Sequence, residues 1–160
     1  MSRRMGRVCR VLLAEDNPSD VAVFRRVVRR NAERFVLEVV PDGGSALGFL
    51  MSQDEWCRAW TPDLVVLNIN MPKVNGWGVL ETMKSHPLLK IIPVAMWTIA
   101  EIEDYAKRSF HAGCSGIFTK PVDPVQMEAQ VAAMLEFYWW AWSYPSGEAD
   151  QERGPLFPQG

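Results

Sequence analysis

The stretch DLVVLNINMPKVNG, residues 63–76, decides how this sequence is read. Its first half is a continuous apolar run, the pattern of a strand buried on both faces of a parallel sheet. Its second half is rich in turn formers, and Val79, Leu80 and Met83 then recur at helical spacing before Pro87 helps to end the helix. A strand, a tight turn and a helix therefore follow one another. At the end of the strand, where such a turn presents a side chain, stands the amide Asn68.

The alternation continues to either side. CRVLLA (residues 9–14) is a short apolar strand followed by EDNPSD, a turn with helix-start residues, and by Val21, Phe24, Val27 and Val28 at helical spacing. FVLEVV (35–40) is β-branched, ends at PDGG, and gives way to a helix marked by Ala46, Leu47, Leu50 and Met51. IIPVAMW (91–97) predicts a fourth strand with a helix over 101–112 after it. SGIFT (115–119) predicts a fifth, and a last helix begins after KPVDP. Strands alternating with helices argue a doubly wound α/β fold with helices on both faces of a five-stranded parallel sheet, in the flavodoxin-like order 2-1-3-4-5.

Length and composition fit that reading. A chain of 160 residues suits one domain, here residues 8–144, flanked by an arm (1–7) and a polar tail (145–160) expected to be disordered. With 17 basic and 19 acidic residues, the net charge of −2 gives no general pull toward nucleic acid or an anionic membrane. No apolar run is long enough to span a bilayer, and VLLA is too short for a signal-peptide core. Cys9, Cys57 and Cys114 are odd in number and lack metal-ligand spacing, which suits a reducing, cytoplasmic setting. The arginines crowded before residue 35 read mainly as a solvated helix face, with an acidic partner's docking face as the rival. His86 and His111 stand apart from every strand end and read as surface or satisfied residues, and Asn75-Gly76 as a turn signal.

In an open parallel sheet, ligands bind beyond the carboxyl ends of the strands near the topological switch point. Those ends carry Glu15 and Asp16, Asn68, Thr98 and Lys120, while Pro41-Asp42 ends the strand to the side. Two acids, an amide, a hydroxyl and an ammonium are the chemistry of phosphoryl handling with magnesium. Mg²⁺ takes hard oxygens, an aspartate can accept a phosphoryl group, and hydroxyl and ammonium donors can hold its oxygens.

With these residues placed, VLLAEDNPSD, PDGGSAL, DLVVLNINMPKVNG, IPVAMWT and AGCSGIFTKPVD resemble the receiver domain of two-component response regulators, over roughly residues 8 to 140. EDNPSD, FTKPVD and the aromatic end of the last helix are most similar to stand-alone regulators that pair with phytochrome histidine kinases. The resemblance implies Mg²⁺ binding by Glu15, Asp16 and the backbone carbonyl of Asn70. It makes Thr98 the switch hydroxyl and Lys120 the phosphate-binding ammonium.

Asn68 stands at the family's phosphorylated aspartate. An amide nitrogen is a poor nucleophile and its oxygen carries no full charge, so a mixed anhydride with phosphate should not form. Losing one carboxylate–cation contact should weaken Mg²⁺ on the order of a hundredfold. Asn is nearly isosteric with Asp and relieves like-charge repulsion, so the fold should tolerate it. Two further departures point the same way. Ile117 stands three residues before the lysine, where the family carries Tyr or Phe, and Phe118 beside it faces the other side of the strand. Ile99 and Trp97 are both large where they flank Thr98.

The expectation is a non-enzymatic pseudo-receiver in two-component signal transduction, acting through protein contacts with a phytochrome-type sensor histidine kinase as partner. The rival is a phosphorylatable receiver, with Asn68 an introduced change or another acceptor such as Asp16. A flavin carrier on the same fold is disfavoured because EDNPSD replaces a Ser/Thr-rich phosphate loop. EFYWWAWSY places Phe137, Tyr138, Trp139, Trp140, Trp142 and Tyr144 close together, more rings than one helix stripe can bury. Aromatic residues favour interfaces, and the family commonly pairs through its fourth and fifth helices and fifth strand, so a homodimer through that face is expected. Base stacking is disfavoured because no basic residues interleave the run.

Overall fold

Apolar runs ended by turns become five strands in the computed structural model, which describes residues 7–52, 60–99 and 113–143. The strands are β1 (Cys9–Ala14), β2 (Phe35–Val40), β3 (Leu64–Leu67), β4 (Val94–Thr98) and β5 (Gly116–Thr119). The helices are α1 (Pro18–Arg30), α2 (Gly43–Met51), α3 (Gly76–Ser85) and α4 (Pro124–Ser143). The strands pair in parallel in the order β2-β1-β3-β4-β5, the doubly wound arrangement the sequence predicts. The expected helix over 101–112, Cys57, His111, Tyr144 and both chain ends lie outside the described residues.

Alternation along the strands divides the core in two. Val11, Leu13, Val66, Ala95 and Trp97 face α1 and α4. Leu12, Ala14, Val65, Leu67 and Met96 face α2 and α3. Asn17 starts α1 by accepting from the Ser19 and Asp20 N–H groups, with Pro18 at the first helical position. That sets Val23, Phe24, Val27 and Val28 against the sheet, while Val21 lies at its margin. Asn75, read from sequence as only a turn signal, caps α3 by accepting from Gly78 N–H.

Two expectations are corrected, the start of β4 and the exposure of Tyr138. β4 begins at Val94 and reaches Thr98, because Pro93 has no N–H to donate to a ladder; Ile91 stays exposed in the preceding turn. Met51 lies in α2 as the sequence reading has it, at the exposed end of the helix. The arginines of α1 are exposed, as the sequence reading has them, and Arg26 and Arg30 pair with Glu128 to tie α1 to α4, while Arg34, in the turn before β2, pairs with Glu136. The aromatic end of α4 splits. Tyr138 is buried, and Trp139 and Trp142 lie against the core, Trp139 edge-on to Phe35 at 5.5 Å with the Arg34 guanidinium 5.7 Å from its ring. Tyr138 therefore leaves the set available to a partner, whereas Phe137 (60% exposed) and Trp140 (52%) remain outside.

Candidate functional site

The chain turns from β1 to β2 on one side and passes to β3 on the other, so the carboxyl ends of β1 and β3 flank the switch point. Glu15 follows β1, its backbone N–H donating to the Val40 carbonyl. Asn68 follows β3, held by its N–H to the Ala14 carbonyl. The next turn folds tightly back: Gly76 N–H donates to Ile69 O, and a Cβ on Gly76 would lie 2.3 Å from the Asn68 carbonyl oxygen. A glycine is required there by close approach of backbone to backbone.

Glu15 (2% exposed), Asn68 (7%) and Lys120 (6%) are polar groups buried together, so each needs a partner. Glu15 Oε1 accepts from Asn17 N–H at 3.1 Å and from the Asn68 amide at 3.0 Å. Its Oε2 accepts from Lys120 Nζ at 2.5 Å. Lys120 Nζ also donates to Asp20 Oδ2 at 2.7 Å and lies 4.6 Å from the centre of the Trp97 ring. Burial pushes the Glu15 carboxyl above its usual range, and the Lys120 ammonium pulls the other way.

Asn68 directs its amide nitrogen at three acceptors: Glu15 Oε1, Asp16 Oδ1 at 3.3 Å and the Asn70 carbonyl at 3.4 Å. These are the groups that the resemblance assigns to Mg²⁺. A hard divalent cation needs oxygens around it, and here an N–H donor enters the space between them. As arranged, the residues do not fit such a cation.

The structure thus brings Glu15, Asp16, Asn68, Asn70 and Lys120 to one place. Thr98 is fully buried at the end of β4, one residue after Trp97. Ile117 packs on the α2–α3 side of the sheet and Phe118 on the α1–α4 side. Ile99 is exposed beyond Thr98.

Sequence reasoning missed Asp20 and Gln130. Asp20 was only a helix-start residue, although its acidic side chain four positions after Asp16 was a readable signal. Trp97 stood out for its size alone. Its Nε1–H donates to Gln130 Oε1 at 2.9 Å, and Gln130 Nε2–H donates to the Thr119 carbonyl at 2.7 Å. The ring beneath Lys120 is thereby joined to α4, a link that no local pattern announces.

Comparison with known proteins decides the family. The response regulator receiver domain matches residues 11–132. The chain belongs to the receiver-domain family of two-component signalling. Response regulator Rcp1 of Synechocystis sp. is 34% identical over 106 residues, spanning 65% of this chain and 72% of Rcp1. A probable methanogenesis regulatory protein, FilR2 of Methanothrix harundinacea, is 29% identical over 87% of this chain and 88% of its own length. Among solved structures, the phosphorylated cyanobacterial phytochrome response regulator RcpA superposes with a TM-score of 0.77 at 30% identity, covering 82% of this chain and 94% of RcpA. The Mn²⁺-bound form of Rcp1 gives 0.76 at 29% identity with the same coverage. No helix among the described residues is long and apolar enough to cross a membrane.

Proposed function

We propose that this receiver domain signals without phosphorylation at Asn68, as a non-enzymatic interaction module. The observation that carries this reading is the Asn68 amide, which stands at the acceptor position with its N–H donors turned onto Glu15, Asp16 and the Asn70 carbonyl. An amide so placed has neither the charge nor the nucleophilicity to form an acyl phosphate. Mg²⁺ or Mn²⁺ binds this pocket more weakly than a pocket with aspartate at position 68. The likeness to RcpA, a phytochrome response regulator, supports a phytochrome-type sensor histidine kinase as partner.

Output then passes through protein contacts, and the partner best supported is a second copy of the chain. Val125, Ala129, Ala132, Ala133, Phe137 and Trp140 form an exposed stripe along α4. Small residues let a second helix approach closely, and two large rings supply the buried area of an interface core. Replacing Phe137 and Trp140 by serine converts the dimer to a monomer in light scattering at micromolar concentration. A wild-type chain that is already monomeric there refutes the pairing.

Intact mass after incubation with acetyl phosphate and Mg²⁺, beside an Asn68→Asp variant, tests the central reading. The natural chain gains no phosphate and the variant does. One observation favours a second reading: Asp16 is an exposed carboxylate in the same pocket, 3.3 Å from the amide. Phosphate mapped to Asp16 of the natural chain would establish it and end the first.

A further inference from the structure

An amide has two N–H groups, and the one at Asn68 faces three oxygens, two of them on carboxylates. Lys120 Nζ likewise serves Glu15 Oε2 and Asp20 Oδ2, with the Trp97 ring against it. Each acid of the pocket thus has an internal donor, and the two donors stand at the carboxyl ends of β3 and β5. The acids come from the β1–α1 corner.

We infer that the acids of this pocket are satisfied from within: the Asn68 amide and the Lys120 ammonium take up, as hydrogen-bond donors, the carboxylate oxygens that an external divalent cation would otherwise bind, and they hold the β1–α1, β3–α3 and β5–α4 corners in one arrangement. The inference rests on the reading that Asn68 is no acceptor, and deepens it by stating how the site is regulated, namely by neither cation nor phosphoryl donor. Turning the amide over would present its oxygen to a cation. Without a cation, the same turn would set that oxygen about 3 Å from Glu15 Oε1 and strip the acids of their donor, at the cost of a charge-assisted hydrogen bond. A cation entering must therefore displace a bonded group rather than fill a vacant space.

This makes Asn68 more than a missing ligand, and a small side chain there separates the two cases. Asn68→Ala removes the donor without supplying a carboxylate, leaving Glu15, Asp16 and the Asn70 carbonyl to face Mg²⁺. Melting temperatures are measured with EDTA and with millimolar Mg²⁺ for the natural chain, Asn68→Ala and Asn68→Asp. Asn68→Ser takes the place of the alanine variant if that does not fold. The natural chain moves by about 1 °C or less, while the alanine and aspartate variants melt lower in EDTA and rise by several degrees with Mg²⁺, as ligand linkage requires. A natural chain that rises as steeply as Asn68→Ala overturns the inference, because the amide then offers no obstruction. Alanine and serine variants as flat as the natural chain overturn it too, because Asn68 is then only an absent ligand. Intact mass on the same samples keeps the underlying reading separate, since phosphate on the natural chain contradicts that reading whatever the melts show.

Discussion

Replacing Lys120 with methionine removes the charge at the centre of the pocket while keeping most of the stem's apolar bulk. The side chains of Lys120 and Glu15 are 2% and 0% exposed, so water cannot take over the lost contact. The Nζ–Oε2 contact of 2.5 Å and the Nζ–Oδ2 contact of 2.7 Å to Asp20 disappear together. Breaking a buried pair by removing one partner costs about 3–5 kcal/mol, because an uncompensated charge stays behind. The methionine side chain also forfeits the attraction of the ammonium for the Trp97 ring, about 1 kcal/mol or more when desolvated. The expected loss is about 4–5 kcal/mol at neutral pH, a fall on the order of 10 °C in melting temperature for a domain of this size. Urea denaturation followed by far-UV circular dichroism measures it without relying on the tryptophan signal that the change itself disturbs. Adding Glu15→Gln removes the stranded charge, so the double variant should recover at least half of the loss. A single variant within about 1 kcal/mol of the natural chain, or a double variant no more stable than the single, would refute the claim that Lys120 and Glu15 compensate each other.

Three other expectations follow from particular contacts. Gly76→Ala puts a Cβ 2.3 Å from the Asn68 carbonyl and destabilises the fold by roughly 3 kcal/mol or more, whereas Gly48→Ala, with nothing within 4 Å, stabilises by about 0.5–1 kcal/mol; thermal melts distinguish them. Trp97→Phe loses the donor to Gln130 and costs about 1–2 kcal/mol, and that loss shrinks in a Lys120→Met background if ring and ammonium are coupled, which a double-mutant cycle in urea reads. The Asp42 carboxyl caps α2 and is held below its ordinary 3.8 by the Ser45 N–H, with Lys73 assisting and burial opposing. Its contribution is therefore fully present above about pH 4 and fades as pH falls through the lowered folded value. Asp42→Ala accordingly lowers the melting temperature by a few degrees near neutrality, and its gap from the natural chain closes in strong acid.

β1 and β2 were legible to the residue because each is an apolar run bounded by turn formers, and periodicity is a local property. β4 was misplaced by three residues at its start, since Ile91 and Ile92 look like strand and only the ladder reveals what Pro93 cannot donate. The positions of Glu15, Asp16, Asn68, Thr98 and Lys120 at strand ends were readable because a parallel sheet brings all its carboxyl ends to one edge. Asp20 escaped, since a helix-start acid is commonplace and its partner lies 100 positions away. The ion pairs from Arg26 to Glu128 and from Arg34 to Glu136 escaped for the same reason, their separations being about as long.

The sequence by itself determined the doubly wound sheet, the collection of polar strand ends and the exchange of a carboxylate for an amide at position 68, because each depends on residue type and local pattern. Only the tertiary structure decided where that amide points, which acids share Lys120, and which rings of the last helix stay outside. Those outcomes turn on distances between side chains far apart in the chain, and burial favours pairing of polar groups such as Glu15, Asn68 and Lys120 with whatever the fold brings near.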